Sequence, residues 1–73
     1  MYNQFAKQLG NIIREYREKL QLPQEVLADK AEISRSYIGA VERAERVMSL
    51  KTLFKISRAL EVDCKDLFDF DKL

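Results

Sequence analysis

The 73-residue chain contains no histidine and no tryptophan, one cysteine, one proline and two glycines. Without histidine the commonest general base is missing, and one cysteine among scattered acids assembles no nucleophile–base pair. No metal-ligand spacing and no glycine-rich phosphate loop occurs. An enzyme is therefore not expected, and neither is a metal, a cofactor or a small-molecule ligand. Cys64 has no second cysteine to pair with, so it reads as a small buried hydrophobe in a reducing setting. No apolar run approaches the 18 or more residues of a membrane span, and no secretion signal opens the chain; a cytoplasmic location without a membrane partner is expected. So little proline and glycine leaves scant material for β-turns and long loops, which favours an all-α fold.

What is present is apolar and charged in the proportions of a globular chain, 47% and 34%. Its length predicts a single domain over residues 1–73, burying only about 60% of the surface of its unfolded form. The net charge of +1 is small, but its distribution is uneven. Residues 1–58 hold eleven Lys/Arg against seven Asp/Glu, and residues 59–73 hold two against five. Within 34–58 the count is six against two. A basic middle and an acidic end follow, the first suited to phosphate and the second to facing away from it.

The stretch 24–46 reads as two short helices joined by a tight turn, a helix-turn-helix over about 23–43. Leu27, Ala28 and Ala31 share one apolar face, with Ile33 as a plug in the turn. Ala28 is small, as a steep helix crossing requires at its closest point. Ser34 caps the next helix, which runs to about Arg43 with Ile38 and Val41 facing inward. Its outer face carries Arg35, Ser36, Tyr37, Ala40 and Arg43. Arg35 can donate two hydrogen bonds to guanine, Ser36 can donate or accept, and Tyr37 can pack on a thymine methyl. Ala40 is small enough to let the helix sink into a groove. Gln24, beside exposed N–H groups at the start of its helix, is placed to grip a phosphate. Arg43 and Arg46 suit phosphates better than bases.

A first helix is predicted over 3–20, capped by Asn3, with Phe5, Leu9, Ile12 or Ile13, Tyr16 and Leu20 facing inward. Gly10 within it costs about 0.5–1 kcal/mol relative to alanine, a sign of another helix at close range. Arg17 is either a solvated charge or the partner of Glu42, tying the first helix to the third. Pro23 opens the second helix, and Leu22 before it plugs the core. Ser49 caps a fourth helix over about 50–60, with Leu50, Leu53, Ile56, Ser57 and Leu60 inward. Asp63 and Asp66 form an acidic capping box for a fifth helix. The inward positions are nearly filled without Phe54, so Phe54 is assigned to a dimer interface. Leu67 and Phe68 point inward or toward a partner, and Phe70 adds apolar surface to the tail.

The chain resembles the lambda-repressor-like helix-turn-helix family of phage repressors and Cro-type regulators, over about residues 9–68. The matching residues include Leu9-Gly10, Ile13-Arg14, Arg17, Gln24-Glu25, Leu27-Ala28, Ser34, Tyr37-Ile38, Val41-Glu42-Arg43, Ser49-Leu50 and Leu67-Phe68. Arg35-Ser36-Tyr37-Ile38 followed by Glu42-Arg43 and Arg46 looks most like the controller proteins of restriction–modification systems. The resemblance implies a compact five-helix domain and a transcriptional regulator. Arg35, Ser36, Tyr37 and Ala40 would face bases, Gln24, Arg43 and Arg46 would hold phosphates, and Arg17 with Glu42 would form a structural ion pair. It also implies a homodimer on a pseudo-palindromic operator. The dimerisation region would be about 50–73, through Phe54, Arg58, Val62, Leu67, Phe68 and Phe70. Double-stranded DNA and a second copy are the implied partners, and RNA polymerase is a further candidate. Related roles are a DNA-binding antitoxin and a phage or mobile-element repressor. A protein-interaction module without DNA binding is the alternative of another class, motivated by the near-neutral charge and Gly39. The family usually has glycine where this chain has Gln21, Glu32 and Ala44, each following a helix in a left-handed conformation.

Overall fold

The computed structural model describes residues 2–68. The chain forms α1 (Tyr2–Lys19), α2 (Gln24–Ala31), α3 (Arg35–Glu42) and α4 (Leu50–Ala59), then a 3₁₀ turn at Cys64–Phe68. Among the described residues all regular structure is helical. α1 begins at Tyr2, so Asn3 lies inside its first turn rather than ahead of it as a cap. The expected fifth α-helix is this five-residue 3₁₀ turn. The Asp63 N–H donates to the Asp66 carboxylate at 3.3 Å and the Asp66 N–H donates back to the Asp63 carbonyl at 2.9 Å. That i→i+3 bond closes the tighter helix. Phe70 lies outside the described residues.

The helix starts follow their capping residues. Ser34 accepts from the Tyr37 N–H and Ser49 from the Thr52 N–H, each satisfying an orphan donor of the following helix. Pro23 takes the cap position of α2, one residue before the first helical turn, and supplies no side-chain bond.

The helix ends share one geometry. Gln21, Glu32, Ala44 and Glu61 all adopt the left-handed conformation, with φ of 57°, 60°, 63° and 63°. The residue after each donates its N–H back across the turn: Leu22 to the Arg17 carbonyl, Ile33 to Ala28, Glu45 to Ala40 and Val62 to Ser57. This is the Schellman arrangement, which satisfies carbonyls left over at a helix end and is usually built on glycine. Here every such position carries a side chain, at a strain of roughly 1 kcal/mol each. Three of the four following residues, Leu22, Ile33 and Val62, are apolar and half-buried. They supply the hydrophobic contact that accompanies the motif.

The core draws Ile12 and Ile13 from α1, Leu27, Ala28 and Ala31 from α2, Ile38 and Val41 from α3, and Leu53, Ile56 and Leu60 from α4 and its end, closed by Leu67 of the 3₁₀ turn. Three residues expected inside are exposed. Phe5 and Leu20 lie at the two ends of α1, and Leu50, 76% exposed, starts α4. Phe5 and Leu50 line an apolar groove at the edge of the core instead of entering it. In α1 both Ile12 and Ile13 are buried, Leu9 and Tyr16 pack half-buried against the core as expected, and Ala6 and Gly10 extend the buried face on the Ile13 side. Leu67 corrects the expectation in the other direction. It is fully buried and offers no surface to a partner.

Gly10 sits where α1 meets α3. A Cβ on it would lie 2.6 Å from the Val41 carbonyl oxygen and 3.0 Å from that of Glu42. Both are backbone atoms, and neither can swing aside. Gly10→Ala is therefore expected to lower stability by about 1–2 kcal/mol, the overpacking penalty outweighing the gain in helix propensity. Chemical denaturation measures it; a variant as stable as the parent would show that α1 can move off α3 at little cost.

Candidate nucleic-acid interface

The exposed face of α3 is mounted on one buried carboxylate. Glu42, at the last turn of α3, accepts from Arg17 Nε at 2.7 Å and Arg17 Nη2 at 2.9 Å, a two-pronged bond from α1. Gln24 Nε2, at the start of α2, donates to the same carboxylate at 3.1 Å. Arg17 Nη1 also donates to the Leu22 carbonyl at 2.8 Å, pinning the α1–α2 turn. Arg14, one turn before Arg17, donates to the Glu42 backbone carbonyl at 3.1 Å. α1, α2 and α3 thus converge on a single residue, and among the described residues no buried side-chain polar atom is left without a partner. The hydrogen bonds that Arg17 donates to Glu42 raise the Arg17 pKa above its already high ordinary value. A raised pKa contributes fully below the unfolded value and is lost only above it, so Arg17 stays charged at every pH at which the protein works. The pair expected from sequence is present; the addition of Gln24 and Arg14 to it is new.

On this base, the first turn of α3 presents Arg35 and Ser36, both exposed. Arg35 forms no ion pair among the described residues. Tyr37 and Ala40 are half-buried. Tyr37 packs on the edge of the core, and the Arg46 guanidinium stands over its ring at 5.2 Å. Arg46 is thereby held from the loop against α3, an order that its sequence position alone does not reveal. Arg43 is exposed and forms two hydrogen bonds to Glu45, from Nε and Nη2, each of 3.1 Å. These bonds raise the Arg43 pKa and lower that of Glu45. A lowered carboxylate holds its charge at neutral pH and loses it only in acid, so the pair persists through the physiological range. Being exposed it is weak, and Arg43 can trade Glu45 for a stronger anion.

Gly39 is the residue whose role the sequence hides. It is buried in the middle of α3, and a Cβ there would lie 2.9 Å from Arg43 Nη1 and 3.6 Å from Gln24 Oε1. The missing side chain is the space in which the Arg43 guanidinium lies across the helix, near Gln24. Rather than only loosening α3, Gly39 brings two of the expected phosphate-binding side chains together. Because the obstructing atom is the far end of a flexible side chain, Gly39→Ala is expected to stabilise the fold by about 0.5–1 kcal/mol through helix propensity. It should also displace Arg43 and weaken binding to any duplex. Thermal melts paired with a binding titration measure both, and unchanged binding would remove Arg43 from the contact surface.

Two more features complete the surface. An apolar groove of about 330 Å³ runs between α1 and the start of α4, lined by Phe5, Leu9, Val47, Leu50 and Phe68 among others. Phe54 projects from α4, 52% exposed, with Arg58 over its ring at 5.7 Å. Among the described residues no group of three or more His, Cys, Asp or Glu could hold a metal ion, and no helix is long and apolar enough to cross a membrane.

A pair of short helices crossing at a tight turn, the second offering its first exposed turn to solvent and packed against α1 and α2, defines a helix-turn-helix protein. The chain belongs to the helix-turn-helix family, whose sequence pattern matches residues 13–67. It is 41% identical over 71 residues to the control protein C.BamHI of Bacillus amyloliquefaciens, spanning 96% of this chain and 88% of that one. Its fold is similar to the crystal structure of the restriction–modification controller protein C.AhdI from Aeromonas hydrophila. That likeness has a TM-score of 0.85 at 38% identity, over 86% of this chain and 96% of the other. It is equally similar, at TM-score 0.85 and 30% identity over 93% and 91% of the two chains, to the controller protein C.Esp1396I in a tetramer bound to its natural 35 base-pair operator.

Proposed function

We propose that this protein is a sequence-specific DNA-binding transcriptional regulator of the restriction–modification controller kind, acting as a cytoplasmic homodimer on a pseudo-palindromic operator. The observation that carries the reading is the first turn of α3. Arg35 and Ser36 are exposed there, on a helix fixed by the Arg17–Glu42–Gln24 cluster. A rigid element that presents a two-pronged donor is the requirement for reading guanine in the major groove. Arg35, Ser36, Tyr37 and Ala40 face the bases in this reading. Arg43 and Arg46 hold the phosphates, together with Gln24 through whatever hydrogen-bonding capacity Glu42 leaves it. The dimer forms through the exposed side of α4 and the segment after it, with Phe54, Arg58, Val62 and Phe68. Two α3 helices then enter successive major grooves about 34 Å apart.

The likeness to C.BamHI and to the operator-bound C.Esp1396I supports this role, and so does the basic stretch 34–58. Footprinting on the DNA upstream of the protein's own gene tests it. A protected pair of half-sites one helical turn apart is expected, with affinity falling steeply as salt rises, by a log–log slope of about −0.9 for each phosphate neutralised. Negligible binding to the footprinted DNA and to random duplex at low salt would overturn the reading and leave a protein-interaction module.

A further inference from the structure

Away from α3, the end of α2 and the exposed side of α4 enclose an open cavity of about 410 Å³, lined by Lys30, Glu32, Lys51, Phe54, Lys55 and Arg58 among others. Four of these six carry positive charge, and among the described residues none of the four forms an ion pair. None of the proposed base or phosphate contacts lines the cavity. A half-exposed phenylalanine stands in the middle of the cations. A phosphodiester has no apolar group to place against that ring, so the phenylalanine rather than the charge separates the candidates. What fits is an acidic segment with aromatic residues between its acids.

The chain itself carries such a segment. From Glu61 to Asp71 it holds five acids against one lysine, and residues 66–71 read Asp-Leu-Phe-Asp-Phe-Asp. We propose that the Asp69-Phe70-Asp71 stretch of this end in one copy docks in the Lys30–Lys51–Lys55–Arg58 cavity of a second copy, with Phe70 meeting Phe54. The exchange is reciprocal. Each copy gives its end and receives its partner's, so the contact closes as a two-fold dimer and leaves no unfilled site to propagate. This rests on the proposed homodimer and gives it an electrostatic clasp. The acids and the cavity cations neutralise each other, leaving the excess positive charge at the reading face.

A charge exchange between two variants tests it. Lys51→Glu/Lys55→Glu reverses the cavity, and Asp69→Lys/Asp71→Lys reverses the end. By sedimentation equilibrium at low salt the wild type should be a dimer, and each variant alone should dimerise more weakly by about tenfold or more. An equimolar mixture should recover dimerisation close to wild type. In the heterodimer one clasp pairs two wild-type partners and the other pairs two reversed ones. Variants that dimerise like the wild type overturn the clasp and leave the dimer standing. Variants whose weakness is not rescued by mixing also overturn it, showing that the end docks on its own chain. A cavity variant that loses DNA affinity while dimerising normally places DNA there instead. A wild type that sediments as a monomer overturns both the clasp and the proposed homodimer.

Discussion

Replacing Glu42 with alanine is expected to lower the free energy of unfolding by about 3–5 kcal/mol, the range for breaking a buried ion pair by removing one partner. The size of the loss follows from what remains. The Arg17 side chain is only 12% exposed, and without Glu42 its charge keeps a single carbonyl partner, that of Leu22. Gln24 loses its acceptor at the same time. A chain of this length has about 4–11 kcal/mol of stability in all, by the usual 0.05–0.15 kcal/mol per residue, so the variant should lose a large share of it. Urea unfolding followed by far-ultraviolet circular dichroism measures it. The combined Arg17→Met/Glu42→Leu variant removes the stranded charge as well and should recover much of the loss, because apolar replacements of a buried pair are often neutral. If Glu42→Ala alone were as stable as the parent, α1, α2 and α3 would be held by apolar packing only, and the cluster would be incidental.

Replacing Arg35 with alanine is expected to weaken binding to the specific operator by about 1–3 kcal/mol and to leave binding to random duplex nearly unchanged. Stability should not move, since Arg35 is exposed and outside every ion pair among the described residues. The contrast between the two DNAs is the informative quantity. A base contact is lost only where the right base is present, whereas a phosphate contact is lost everywhere. Fluorescence anisotropy on both duplexes at one salt concentration separates them. Equal losses would move Arg35 to the backbone and leave direct reading to Ser36 and Tyr37, with DNA shape supplying the rest.

Local chemistry made much of this molecule legible before its fold was seen. Ser34 and Ser49 are caps because a hydroxyl ahead of an apolar repeat has few other uses, and both accept the expected N–H. Gly10 announced a close approach by its cost, and the approach is to α3. Leu27, Ala28, Ile38 and Val41 are buried as their spacing requires. The errors cluster at helix ends, on the rim of the core. Phe5, Leu20 and Leu50 repeat correctly, but they stand in terminal turns and are exposed. Glu61 takes the left-handed conformation with nothing in its side chain to announce it. The site divides in the same way. Arg17 and Glu42 are open to pairing by charge, and the family resemblance implies the pair. The hold of Gln24 on that pair, the bond of Arg43 to Glu45 and the space left by Gly39 depend on where helices cross, which one sequence does not encode locally.

The four left-handed helix ends bear on how long a molecule lasts. Roughly 1 kcal/mol of strain at each of Gln21, Glu32, Ala44 and Glu61 is a large share of the few kcal/mol that a domain this small possesses. Such a chain opens often, and an open chain is what a protease cuts. A ligand that binds only the folded form suppresses that opening in proportion to its occupancy. In the proposed function, copies bound to an operator would therefore be cut more slowly than free copies. Glycine in place of Gln21, Glu32, Ala44 and Glu61 is expected to slow proteolysis of the free protein, and limited digestion of the parent and the variant measures it.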